Sequence, residues 1–150
     1  MQDEYPRCRL QMTVSWGDCD AAGITYYARY FDWFTNGRMQ LLKNYGLPYM
    51  STFHRRNINM VALEAGCRYS RSLYPEETVE LETILVTLTR TRIRFEYMIH
   101  KDDGSVAARG FTVHACVDER GKPFDLKKRY PELWEKMNSL FNGKYRDSAC

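Results

Sequence analysis

The stretch that decides how this chain is read is WGDCDAAGITYYARYF, Trp16 to Phe31. Two carboxylates, Asp18 and Asp20, stand one residue apart, followed by the small residues Ala21, Ala22 and Gly23 and then a run of aromatics. Upstream, Cys8, Leu10, Met12, Val14 and Trp16 alternate with Arg9, Gln11, Thr13 and Ser15, the period of a half-buried strand. Downstream, Tyr27, Tyr30, Phe31, Phe34, Arg38, Leu41, Leu42 and Tyr45 recur at three and four residues. That spacing predicts a helix of roughly five turns. Thr25 is its candidate N-cap and Gly46-Leu47-Pro48 its stop signal. Asn36-Gly37 could instead mark a hairpin, but the flanks do not alternate. Inside a helix Gly costs about 1 kcal/mol against Ala, so Gly37 fits a place where another backbone comes close. The acid pair therefore lies between a strand end and a helix start.

Residues 49–59 are polar and irregular, and four further segments have strand character. Val61, Leu63, Ala65, Cys67 and Tyr69 alternate; so do Val79, Leu81, Thr83 and Leu85, then Ile93, Phe95, Tyr97 and Ile99, then Phe111, Val113, Ala115 and Val117. Asp103-Gly104 and Arg120-Gly121 mark turns. A last helix is predicted from Pro131, with Leu133, Trp134, Met137, Leu140 and Phe141 on its apolar face and Gly143 at its end. The order strand, long helix, four strands, short helix excludes a doubly wound parallel sheet. It fits an α+β fold, an antiparallel five-stranded sheet wrapped around one long helix.

The 150 residues suit one domain over the whole length, 1–150, with 44% hydrophobic and 14% aromatic residues giving a globular composition. No apolar run approaches the ~20 residues of a membrane helix, and the N-terminus has no signal-peptide core. These features predict a soluble, cytoplasmic protein with no membrane partner. Cys8, Cys19, Cys67, Cys116 and Cys150 are scattered without CxxC spacing, so reduced thiols are expected rather than a disulfide framework or zinc ribbon. His54, His100 and His114 form no metal motif, so no metal is expected. A net charge of +3 is too mild to imply nucleic acid but is compatible with a phosphorylated small molecule.

At a helix start, unpaired N–H groups and a partial positive charge can hold an anion or a developing oxyanion. A carboxylate beside them can attack a carbonyl or activate water. On spacing alone, both acids could equally cap the turn and the helix.

The stretch GDCDAAGITYYARYFDWF resembles the signature of hotdog-fold thioesterases of the 4-hydroxybenzoyl-CoA type, G-D-x-D-x-x-G-x-x-[WY]-Y followed by aromatics. Gly17, Asp18, Asp20, Gly23, Tyr26, Tyr27, Tyr30 and Phe31 match, and the order of elements agrees with a hotdog over most of the chain. The resemblance implies acyl-CoA hydrolysis with Asp20 as the catalytic carboxylate, either nucleophile or general base. It implies that the Tyr27 backbone N–H polarises the thioester C=O, that Asp18 organises the turn, and that Gly23 and Tyr26 lie against the substrate. Ala21 stands where the 4-hydroxybenzoyl enzyme has Pro, and Tyr27 where Tol–Pal-associated members have His. The reaction class therefore carries over better than the substrate. No cofactor is implied, since coenzyme A is part of the substrate; acyl-carrier protein is an alternative carrier.

Coenzyme A phosphates call for exposed cations. Arg90 and Arg92, in LTRTRIRFEY, are the candidates, unless these arginines only pair across strands with Glu80 or Glu82. Trp16, Tyr26, Tyr30 and Phe34 could wall an acyl pocket, aromatic or fatty, or could be plain core. Family members pair their sheets, and an open sheet edge favours the same, so a homodimer or homotetramer is expected. Dehydratase chemistry and non-hydrolytic thioester binding are the alternative functions.

Overall fold

The computed structural model describes residues 5–141. Five strands, β1 Arg7–Thr13, β2 Asn59–Tyr69, β3 Thr78–Leu88, β4 Ile93–Lys101 and β5 Val106–Val117, form one sheet in the order β1-β3-β4-β5-β2. All four pairings are antiparallel. The long helix α1 spans Arg29–Asn44 and lies on one face of the sheet, packed on β1 and β3. This is the α+β arrangement that the order of elements predicts.

Strand alternation sorts the two faces. Ile93, Phe95, Tyr97 and Ile99 of β4 are buried under α1, whereas Arg94, Glu96, Met98 and His100 point to the outer face. The helix answers with Tyr30, Trp33, Phe34, Leu41 and Leu42, all buried. Phe34 stacks on Tyr97 with ring centroids 4.2 Å apart and 9° between planes. Gly110 of β5 makes that stack possible, because a Cβ there would run into the Phe34 ring. Gly37 has the same purpose on the helix, although what approaches it is the Thr83 and Leu81 side chains of β3 rather than backbone.

Several boundaries differ from the sequence expectation. The first strand ends at Thr13, not Trp16, because Val14 turns away to exchange backbone hydrogen bonds with Glu76 and Glu77; Trp16–Asp18 then form a 3-10 turn. Helix α1 starts at Arg29, with Ala28 as N-cap; Thr25 instead donates both its N–H and its hydroxyl to the Leu73 carbonyl. Residues 49–59 hold a one-turn helix, α2 (Tyr49–Thr52), and a 3-10 turn at His54–Arg56. A further short helix, α3 (Leu126–Arg129), capped by Asp125, precedes the predicted C-terminal helix α4, Pro131–Ser139. The predicted stop at Gly143 lies outside the described residues. Strand β2 carries a bulge between Ala62 and Glu64, and its apolar residues divide: Val61, Leu63 and Tyr69 are exposed, whereas Met60 and Cys67 pack against the core.

Cys19, Cys67 and Cys116 are free thiols, as expected. Cys8 is not free, which corrects the expectation of reduced cysteines throughout; Cys150 lies outside the described residues. Among the described residues no helix is long and apolar enough to cross a membrane, and no three His, Cys, Asp or Glu side chains gather as metal ligands.

Candidate active site

The loop from Ser15 to Ala28 joins β1 to α1 and carries both acids. Its tightest part is the turn Asp20-Ala21-Ala22-Gly23. The Gly23 N–H donates to the Asp20 carbonyl at 2.9 Å, and the Asp20 N–H to the Ile24 carbonyl at 3.0 Å. Gly23 sits at φ +78°, in the left-handed region where a Cβ is penalised. This is a four-residue turn closed by a left-handed glycine, and it explains the spacing of Gly23 from Asp20.

The two acids are used differently. Asp18 Oδ2 accepts the Ser15 N–H at 2.9 Å, and Asp18 Oδ1 lies 3.3 Å from Arg29 Nε. The Asp18 carbonyl also accepts the Tyr26 N–H at 2.8 Å. Both carboxylate oxygens of Asp18 are thus taken up in fastening the loop to itself and to the first residue of α1. Asp20 is exposed, and only its Oδ1 is engaged, by the Ala22 N–H at 2.8 Å. Its second oxygen has no partner among the described residues. One bonded oxygen orients the Asp20 carboxylate and leaves the other open, whereas Asp18 has no such oxygen left.

Tyr27 lies two residues before α1 rather than at its first turn. Its N–H donates to no group among the described residues. Its carbonyl accepts the Tyr69 hydroxyl at 2.7 Å, so the end of β2 pins the peptide that follows Tyr27. The rings of Tyr26 and Tyr27 touch, with centroids 4.9 Å apart. The Tyr27 hydroxyl beside it, more than the nearby Asp20 charge, raises the Tyr26 phenol above its ordinary range. Tyr30, behind them, is buried against Tyr69 at 4.8 Å and Trp33 at 5.1 Å; burial pushes its phenol up to about 12. Nothing in the sequence marks a strand tyrosine such as Tyr69 as the anchor of a loop more than 40 residues earlier.

Asp20, Gly23, Tyr26 and Tyr27 are therefore brought together. The expected pocket walls divide: Tyr30 and Phe34 are core, whereas Tyr26 is half-exposed and Trp16 exposed, its indole N–H donating to Glu76 at 3.0 Å. Arg90 and Arg92 are not brought to this loop within one protomer. The loop adjoins the Thr78 end of β3, through the pairing of Thr13 with Thr78, and Arg90 follows the other end. About 30 Å of strand separates them. Neither arginine pairs with Glu80 or Glu82. Arg90 grips Asp125 through Nε at 3.0 Å and Nη2 at 2.6 Å, and Arg92 donates to the Thr91 carbonyl at 2.9 Å.

Comparison with known proteins identifies the family. The family profile of the thioesterase-like superfamily matches residues 14–136. An Aquifex aeolicus protein provisionally named an esterase is 31% identical over 120 residues, 80% of this chain and 91% of its own. The 1,4-dihydroxy-2-naphthoyl-CoA hydrolase of Synechococcus elongatus is 26% identical over 113 residues, covering 75% of this chain and 82% of its own. The DHNA-CoA thioesterase structure from Staphylococcus aureus superimposes with a TM-score of 0.82 over 95% of this chain and 97% of its own; at 22% identity this is a likeness of fold. The chain belongs to the thioesterase-like superfamily. It is a hotdog-fold thioesterase, and its reaction is thioester hydrolysis.

Proposed function

We propose that the protein hydrolyses an acyl-CoA to the free acid and CoA, with Asp20 as the reacting carboxylate. The observation that carries this reading is the contrast between the acids: Asp18 has both oxygens occupied, and Asp20 is oriented through one while the other stays open. The thioester carbonyl would accept the unclaimed Tyr27 N–H, which stabilises the oxyanion as the tetrahedral centre forms. Asp20 either attacks that carbon and expels CoA thiolate, giving an acyl-aspartate anhydride that water then hydrolyses to the free acid and Asp20, or takes a proton from the water that attacks it, CoA thiolate leaving as the tetrahedral centre collapses. Gly23 keeps the turn tight, and Tyr26 flanks the acid. No cofactor enters this scheme. The CoA form of the substrate is supported by relatives named as CoA-thioester hydrolases, and a cytoplasmic setting goes with it.

The functional unit in this proposal is a dimer formed along β2. That strand is a sheet edge, and it exposes Val61 at 37% and Leu63 at 50%, more apolar surface than an unprotected edge normally carries. The test of the reaction is a panel of aromatic, short-chain and long-chain acyl-CoAs with release of free thiol as the signal. Rapid release from at least one class is expected; none from any class would defeat the proposal. Dehydration is not favoured, because it needs a base for the α-proton. His114 is buried with Thr112, His100 is bonded to Glu82 on the outer face, and His54 lies in the 3-10 turn.

A further inference from the structure

The outer face of the sheet, opposite α1, carries a cavity of about 560 Å³ near the end of β2 that holds Tyr69. Its cationic wall is unusual. Arg68 of β2 and Arg109 of β5 stand directly opposite each other in the antiparallel ladder. Cross-strand partners have Cβ atoms about 5 Å apart, and like charges in that position repel. No carboxylate of the described residues relieves them: the Arg109 guanidinium reaches the Met98 sulfur, and the Arg68 side chain has no hydrogen-bond or ion-pair partner among the described residues. Arg94 completes the wall, with its guanidinium 4.4 Å from the centre of the Phe111 ring and Nε 3.2 Å from Glu96. Phe111 in turn packs against Gly66, where a Cβ would come within 2.6 Å of the ring. Three guanidinium groups and one carboxylate thus surround an apolar floor, leaving an excess of two positive charges.

We propose that this cavity, walled by Arg68, Arg94 and Arg109 over Phe111, binds an organic phosphate dianion. A phosphate placed between Arg68 and Arg109 turns a repulsive pair into two charge-assisted contacts, and the planar guanidinium suits it by geometry as well as by charge. The excess of two charges matches a phosphate monoester or a diphosphate. The source can be the phosphorylated end of a CoA substrate or a free nucleotide. Arg68 is the neighbour of Tyr69, whose hydroxyl holds the Tyr27 carbonyl, so the cavity and the reactive loop meet at the same end of β2 on opposite faces. The part of this inference that concerns substrate rests on the proposed acyl-CoA activity; the binding itself does not.

The test is calorimetric titration of the whole protein with adenosine 3′,5′-bisphosphate at low salt, with adenosine as the uncharged control. The bisphosphate is expected to bind and adenosine not to, with affinity lost about tenfold or more in Arg68→Gln and in Arg109→Gln. Both ligand-free variants are expected to melt no lower than the parent, since each removes a repulsion. No binding by the parent protein, or equal affinity in the variants, overturns the proposal. Equal affinity is also the result expected if a second copy of the chain covers Arg68. A kinetic arm identifies the source. If the site holds substrate, either variant raises KM for an acyl-CoA about tenfold relative to the matching acyl-pantetheine. If it takes a free nucleotide, that ratio stays fixed and the bisphosphate binds without competing with substrate. Failure of hydrolysis on both thioesters would count against the proposed activity and not against the phosphate site.

Discussion

The Tyr69 hydroxyl on β2 donates a 2.7 Å hydrogen bond to the Tyr27 carbonyl, tying the sheet edge to the loop that carries both acids. A neutral hydrogen bond of this kind is worth about 1 kcal/mol. Tyr69→Phe keeps the ring against Tyr30 and removes only the bond. We expect kcat to fall about fivefold with KM nearly unchanged and the thermal midpoint lower by roughly 2–4 °C, as stopped-assay kinetics and calorimetry would show. An unaltered kcat would mean that the Tyr27 peptide needs no such support.

Gly37→Ala sets two effects against each other. Alanine in a helix interior gains about 1 kcal/mol over glycine. The added Cβ, however, would run into Thr83 Oγ1 and come within 2.9 Å of Leu81 Cδ2, both on the buried face of β3. Overpacking of that kind costs about 1–3 kcal/mol, so the clash wins. The variant should melt a few degrees lower, by roughly 2–4 °C for each kcal/mol in a chain of this size. A rise in midpoint would show that helix and sheet can separate at little cost.

Acid should weaken the fold through His114. Burial first, and the Arg38 charge second, push its imidazole down to about 4 from an ordinary value near 6.5. Its folded state favours the neutral ring, so the unfolded chain binds the extra proton between those two values. Stability from this group is complete above about pH 6.5 and declines as pH falls towards 4, by about 3 kcal/mol across the window. Denaturant titrations at pH 7.5 and 5 should show about 2 kcal/mol of that loss, and His114→Gln should remove most of the difference. An equal loss in both proteins would put the titration elsewhere.

Leu63→Glu places a charge on the exposed edge strand, a device that blocks edge pairing. Light scattering should find the parent protein as a dimer or larger and the variant as a monomer with much reduced turnover. A parent monomer, or a variant that stays assembled, would contradict pairing along β2.

Much of this architecture was legible in the chain because local periodicity and tertiary burial agree: the apolar spacing from Tyr30 to Leu42 is the face that α1 buries. The failures lie where a distant residue decides. Thr25 looks like an N-cap until Leu73, 48 residues on, takes its N–H and hydroxyl. Val14 continues the strand pattern, but its backbone bonds to the loop before β3. Alternation in β2 reveals a strand without saying that Val61 and Leu63 are left exposed at the sheet edge. The separate uses of Asp18 and Asp20 were partly readable, since Ser15-x-x-Asp18 is the spacing of a capping box. Arg90 could not be placed from sequence, because its partner Asp125 lies 35 residues away.

Asp20→Asn removes the oxygen that reacts in the proposed mechanism and little else. The amide can still accept the Ala22 N–H, so the turn should persist and thioester binding should survive. With a good acyl-CoA substrate kcat is predicted to fall by about a thousandfold or more, a loss of about 4 kcal/mol in transition-state stabilisation. An Asp20→Asn protein that binds the substrate and turns it over within a few fold of the parent rate would contradict the account.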